Sequence, residues 1–146
     1  MIYMEIKNSI SAVSHIHSLA ADFLEKKLKE QGFKNFASSH GNILFQLSIN
    51  GQMMMGELSK AINRNKSTTT VLARKLEKEG FIEMIPSPND KRNKFLSLTQ
   101  KGKDYNKALT EISNELQTTF FKGFSKDEKE SFCKLLAKID KNFENT

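Results

Sequence analysis

Residues 56–98 read GELSKAINRNKSTTTVLARKLEKEGFIEMIPSPNDKRNKFLSL. Leu58, Ala61 and Ile62 predict the inward face of a short helix, the third of the chain. Asn63-Arg64-Asn65 predicts a tight polar turn. Ser67 then opens a fourth helix with Thr69, Leu72, Ala73 and Leu76 inward, closed by Gly80. Two short helices split by such a turn form a helix-turn-helix candidate. Beyond Gly80 the period changes, and Phe81–Ile85 and Lys94–Leu98 predict two strands. Both prolines of the chain lie between them, Pro86 and Pro88. In that loop they cannot disturb a ladder. Helix, turn, helix, strand, charged loop, strand is the order of a winged helix-turn-helix.

Helices are predicted on both sides. Ile6, Ile10, Val13, His17, Ala20, Leu24 and Leu28 form one apolar stripe on a helix from about Met4 to Glu30, stopped by Gly32. At 1.5 Å per residue this helix spans roughly 40 Å, too long for a chain of this size to bury its whole stripe. Ser38 or Ser39 caps a second helix carrying Ile43, Leu44 and Leu47 and ending at Asn50-Gly51. Thr99 caps a fifth, with Tyr105, Leu109, Ile112, Leu116 and Phe120 on one face. Ser125-Lys126-Asp127-Glu128 is a capping-box pattern opening a sixth, whose stripe is Phe132, Leu135, Leu136, Ile139 and Phe143. The fold class expected is mainly α with a small β-hairpin: a dimerisation helix over 1–35, a winged helix-turn-helix lobe over 36–98, and dimerisation helices over 99–146.

Charge follows this division. The 146 residues carry a formal net charge of +6. Residues 56–103 hold 11 Lys and Arg against 5 Asp and Glu, which is already +6, and they hold all three arginines. The remainder is neutral. Such asymmetry suits a surface facing a polyanion, although a lysine-rich solvated face would also produce it. The terminal helices combine zero net charge with long apolar stripes, as association surfaces do.

A recognition helix buries one face on its own lobe and turns short polar or basic groups toward base edges. With Thr69, Leu72, Ala73 and Leu76 inward, Ser67, Thr68, Val71, Arg74, Lys75 and Lys78 face out. Residues near the helix start reach deepest into a major groove. Ser67, Thr68 and Thr70 suit base edges or phosphates, and Val71 suits a thymine methyl. The candidate DNA-binding positions of this helix are Asn65, Lys66, Ser67, Thr68, Thr70, Val71, Arg74 and Lys75. Those of the loop are Asp90, Lys91, Arg92 and Lys94, its cations within reach of phosphates or a minor groove. Asp90 is expected to hold the Arg92 guanidinium in one orientation through a bidentate pair.

Ser67-Thr68-Thr69-Thr70 followed by Leu76-Glu77-Lys78-Glu79-Gly80-Phe81-Ile82 resembles the recognition-helix signature of the MarR family of bacterial transcription regulators. Pro88-Asn89-Asp90-Lys91-Arg92 and Leu96-Ser97-Leu98-Thr99-Gln100-Lys101-Gly102 resemble that family's wing and the start of its next helix. The resemblance covers nearly the whole chain. It implies a homodimer formed by the first and last two helices, with Ile6, Ile10, Val13, Leu116, Phe120, Leu136, Ile139 and Phe143 at the interface. It implies double-stranded DNA as partner, with a recognition helix in the major groove and a wing at the minor groove, and Asp90 and Arg92 in the role of the family's wing Asp-x-Arg pair. It also implies a small phenolic or lipophilic effector between dimer helices and DNA-binding lobe; constitutive binding is the alternative. Three positions depart from the pattern. Met54 stands where a Thr or Ser usually caps the third helix, beside Gly56. Val71 stands where many members carry a basic residue. Thr69 replaces an aliphatic residue facing the core.

Other chemistries find little support. No stretch approaches 18 consecutive apolar residues, so no membrane span is expected, and the first 25 residues lack a secretory signal's h-region. The lone cysteine, Cys133, suits a reducing cytosol; it is expected as a small buried hydrophobe, with a redox-sensing regulator as the alternative. His15 and His17 are two apart on a helix and cannot chelate one metal together; with His40 they are expected as ordinary surface or interface residues. No metal or cofactor is expected. Met53-Met54-Met55 is expected to pack behind the third helix rather than form a ligand surface. No P-loop, GxSxG or HExxH pattern is present, which argues against an enzyme. The expected function is a homodimeric, sequence-specific DNA-binding repressor on a pseudo-palindromic operator, and the alternative from another class is a winged-helix module that binds protein.

Overall fold

The computed structural model describes residues 5–34, 38–90, 92–144 and 146, with the Ser38 side chain outside that description. The order is a 3₁₀ turn Ile6–Asn8, α1 Ser9–Glu30, α2 Ser38–Asn50, β1 Met53–Met54, α3 Met55–Ala61, α4 Lys66–Lys78, β2 Ile82–Pro86, β3 Lys94–Leu98, α5 Gln100–Phe120 and α6 Lys126–Phe143. This is the mainly α, winged helix-turn-helix architecture expected. Packing divides it into two units, residues 1–112 and 113–146, with the boundary inside α5.

The first unit is built round Leu28, Ile43, Leu44, Leu47, Leu58, Leu76, Ile82, Leu96, Tyr105 and Ile112, all 2% exposed or less. Tyr105 of α5 meets Phe33 and Phe81 edge-on, at 5.6 and 5.7 Å between ring centres, a geometry that suits the ring quadrupoles. Only the end of the α1 stripe takes part: Leu28 is buried and Leu24 packs against the core, whereas Ile6, Ile10 and Val13 are 93%, 84% and 60% exposed. The expected helix start at Met4 lies outside the described residues; the α-helix proper begins at Ser9. The cap expected at Ser38 or Ser39 cannot be placed at either, because α2 already includes both; residues 35–37 before it lie outside the described ones.

The sheet has three strands, ordered β1-β3-β2 and antiparallel throughout. The hairpin was expected, and β1 was not. Met53 and Met54 pair with Leu96 and Phe95, so the methionine run is a strand and a helix start rather than simple backing for α3. Two residues are too few to show an alternating period. Pro86 corrects a second expectation: it ends β2, opposite Lys94, instead of lying in the loop. The ladder tolerates it because β2 is an edge strand, where a missing N–H need not break a pair.

Two helix faces also differ. Ala61 is exposed, and Ser59 is buried in its place, its hydroxyl donating to the Met55 carbonyl at 2.9 Å. The α4 cap is Asn65, not Ser67: its side-chain oxygen accepts from the Thr68 N–H at 2.7 Å. Thr69, fully buried, donates its hydroxyl to the Asn65 carbonyl at 2.9 Å, which satisfies the polar group a core helix face would otherwise penalise. At α3, Glu57 accepts from the Met54 N–H at 3.2 Å; Met54 has no hydroxyl to complete the reciprocal bond a Ser or Thr would make. His40 was expected at a surface or interface and is 8% exposed. Its imidazole pKa is lowered from the ordinary 6.5 by burial first and by the Lys75 charge second, with Glu79 opposing.

In the second unit Ser125 and Glu128 form the expected capping box, at 3.1 and 2.9 Å, which holds the Glu128 carboxyl below its usual pKa. Phe120, Phe121, Phe124 and Phe132 gather in edge-on and tilted contacts at the turn between α5 and α6. Leu135, Leu136, Ile139 and Phe143 are 60%, 44%, 52% and 71% exposed. Cys133 is exposed as well, contrary to the buried hydrophobe expected; it lies beside Phe121 on a groove open to solvent.

Two glycines in helices should respond oppositely to alanine. Gly56 has open space where a Cβ would stand, whereas at Gly102 a Cβ would run into the Phe81 carbonyl oxygen. Gly56→Ala is expected to raise thermal stability by up to about 1 kcal/mol through helix propensity. Gly102→Ala is expected to lower it by about 1–3 kcal/mol through overpacking, and thermal denaturation of both variants checks the opposite signs. The folded state holds the His40 proton more weakly than the unfolded chain does. Its contribution to stability is therefore fully present above pH 6.5 and is lost as pH falls from there through the lowered folded-state value. Melting midpoints between pH 7.5 and 5 should fall for the natural chain and fall less for His40→Gln.

Candidate nucleic-acid interface

α4 presents a polar and basic face because its burial is confined to one side. Thr69, Ala73 and Leu76 are buried and Leu72 half-buried, while Lys66, Ser67, Thr68, Val71, Arg74 and Lys75 are exposed. Val71 is 68% exposed, an apolar side chain set among the polar groups of this face. The Asn65 cap leaves the first-turn amides and hydroxyls at the tip of the helix. Thr70 donates its hydroxyl to the Lys66 carbonyl at 2.8 Å, so only its oxygen lone pairs remain to face a ligand.

Across from this face stands the β2–β3 loop. Lys66, Thr70 and Arg74 of α4 meet Arg92, Asn93 and Lys94 round a groove of about 160 Å³, floored by Met55 and Met84. Among the described residues, four cations line it and no carboxylate does. Thus Lys66, Thr70, Arg74, Arg92 and Lys94 of the expected set share one groove. Ser67, Thr68 and Val71 lie outside it on the exposed helix face, and Lys75 lies on the flank toward His40. Lys91 lies outside the described residues.

Asp90 does something other than expected. Among the described residues it makes no ion pair with the Arg92 guanidinium. One carboxylate oxygen accepts from the Arg92 backbone N–H at 2.9 Å and the other from the Asn93 side-chain amide at 3.3 Å. The Asn93 N–H donates to the Asp90 carbonyl at 3.1 Å, and the Asn93 carbonyl accepts from the Ser87 N–H at 2.9 Å. The pair Asp90–Asn93 therefore shapes the loop backbone, and Arg92 is aimed by its main chain. An Asp holding its own backbone two residues on is the usual Asx-turn chemistry. Asn93 escaped the sequence reading; its signal was the Asn-Asp-x-x-Asn spacing within a turn.

The MarR family model matches residues 37–94. The Transcriptional repressor MprA of Escherichia coli K12 is 31% identical over 135 residues, covering 86% of this chain and 73% of that protein. The chain belongs to the MarR family. Among solved structures, a MarR protein from Peptoclostridium difficile superposes with a TM-score of 0.69 at 27% identity, covering 99% of this chain and 93% of that one. The heme sensor PefR from Streptococcus agalactiae, in complex with heme, reaches 0.77 at 25% identity, over 94% and 95%. Members of the MarR family are transcription regulators, and DNA binding accompanies the fold.

If Asp90 acts through hydrogen bonds rather than charge, Asp90→Asn should keep the loop and Asp90→Ala should lose it. Asp90→Asn, which keeps an oxygen to accept from the Arg92 N–H, is expected to stay within about threefold of natural DNA affinity, and Asp90→Ala, which loses both hydrogen bonds, to fall further, at about 0.5–1.5 kcal/mol for each bond lost. Fluorescence anisotropy on a labelled duplex separates the two; equal losses would restore the charge pairing.

Proposed function

We propose that this chain is a homodimeric repressor that reads an imperfect palindrome in double-stranded DNA. The observation that carries the proposal is the carboxylate-free groove shared by Lys66, Thr70, Arg74, Arg92 and Lys94. Phosphates of a duplex supply the charge that such a groove lacks, and counterion release supplies the affinity. Ser67, Thr68 and Val71, exposed near the start of α4, then face base edges, with Asn65 and Lys75 at its ends; Asp90 and Lys91 complete the wing.

A homodimer accounts for what one chain leaves uncovered. Ile6 in the 3₁₀ turn and Ile10 and Val13 on α1 are exposed in one unit, and Phe120, Leu136, Ile139 and Phe143 in the other, with Leu116 half-buried. A cyclic dimer covers such faces and sets two recognition helices on successive half-sites. A small phenolic or lipophilic effector has a candidate place in a groove of about 560 Å³ between α2, β3 and α5, where Leu47 and Leu98 meet Gln52, Lys103 and Asn106. The heme held by PefR puts hemin beside a phenolic carboxylate among the probes. A redox-sensing reading draws support from the exposure of Cys133; unchanged DNA affinity after mild peroxide would remove it.

Duplexes selected by the chain from random DNA test the division of labour. Arg92→Ala should weaken selected and random duplexes alike and lower the salt slope by about 0.9. Thr68 and Arg74 substitutions should relax preference at particular base pairs by about 1–3 kcal/mol each. Equal losses on both duplexes for every variant would refute it, and binding to neither duplex would favour a protein-binding winged helix. Analytical ultracentrifugation should return twice the chain mass, and Ile10→Glu should shift it toward the monomer.

A further inference from the structure

Lys101 belongs by sequence to the basic segment, yet it lies at the far end of the recognition helix from the basic groove. Its ammonium donates to the Glu79 carbonyl at 2.9 Å and stands 4.4 Å from the centre of the Phe81 ring. Glu79 is the residue that ends α4. A cation at that end complements the helix dipole and satisfies a carbonyl without an intrahelical partner.

Three neighbouring contacts join the same two elements. The Thr99 hydroxyl donates to the Gly80 carbonyl at 2.6 Å and accepts from the Gly102 N–H at 3.2 Å, so one side chain caps α5 and grips the residue after α4. The Thr99 N–H donates to the Phe81 carbonyl at 3.1 Å. Gly102 lets α5 approach that carbonyl more closely than any side chain would permit. Gly80 itself has φ +85°, a turn that brings the chain off α4 directly onto the first turn of α5. The end of the recognition helix is thus bound, through four contacts, to the start of α5.

We infer that Lys101 is a positioning residue for DNA reading: it holds the C-terminal end of α4 against α5 and so sets the angle at which the recognition helix is presented, without touching DNA. The inference rests on the DNA-binding reading above. It differs from a phosphate-contact role in a measurable way, because only contacts to DNA release counterions.

Lys101→Met keeps the aliphatic stem and removes the ammonium; Lys101→Arg keeps a cation able to reach the carbonyl and the ring. Lys101 is exposed, so both variants retain the core, and circular dichroism at the assay temperature verifies that they are folded. Affinities are measured for a duplex selected by the natural chain from random DNA and for a random duplex, each across a salt series. Lys101→Met is expected to lose about three- to tenfold on the selected duplex, with no loss on the random one and an unchanged salt slope, and Lys101→Arg to restore the affinity. A slope reduced by about 0.9 would make Lys101 a phosphate contact and overturn the inference. Unchanged affinity for the selected duplex, or equal losses on both duplexes, would overturn it too. If the natural chain itself shows no salt-dependent binding, the DNA-binding reading fails and takes the inference with it.

Discussion

Antiparallel pairing on both sides of β3 is the constraint from which the DNA-facing geometry follows. Leu96, fully buried, stands opposite Met53 on one side and Met84 on the other. One strand therefore carries the wing and also fixes where α3 begins, since Met54 ends β1 and Met55 starts the helix. The helix-turn-helix cannot rotate away from the wing without breaking the β1–β3 pairing and pulling Met53 and Leu96 out of the core. That is what holds Arg92 and Lys94 across a narrow groove from Lys66 and Arg74. A one-residue slip would turn Leu96 to solvent and misplace the loop together.

The recognition helix is fastened at both ends by chemistry that leaves its outer face untouched. Asn65 accepts from the first turn, Thr69 turns its hydroxyl back to Asn65, and the last turn is held by Lys101 and Thr99 from α5. Between these ends the buried side is small and apolar, at Ala73 and Leu76. Polar and basic groups are thereby free to meet a ligand in place of the helix's own lobe. The wing follows the same logic, with Asp90 bonded to the loop backbone and to Asn93 while the Arg92 side chain lines the groove.

Much of this was legible along the chain. Long periodic stretches with clear caps, such as Ser125 to Glu128 or the α5 start at Thr99, follow from neighbours three or four residues apart, and those were read correctly. Two of the misreadings, at β1 and at α3, share one cause, which is distance along the chain. β1 has two residues and becomes a strand only because Leu96 and Phe95 arrive from 43 and 41 positions on. Ala61 and Ser59 exchange their expected burial because neighbouring elements, not helical period, decide which side of α3 is covered. Asp90 looked like a partner for the charge two residues away, but its oxygens are closer to a backbone N–H than to the guanidinium. Cys133 is apolar enough for a core and is nonetheless exposed.

By itself the sequence determined the helices, the hairpin, the charge confined to residues 56–103 and the family resemblance, because period, capping and net charge are local or additive properties. Tertiary structure alone decided which cations share a groove, that Lys101 faces the end of α4 instead of the groove, and that His40 is buried beside Lys75. Those outcomes depend on which elements lie side by side. Residues 22 apart, such as Lys101 and Glu79, become hydrogen-bond partners only when the sheet and the Tyr105 core have brought their helices together.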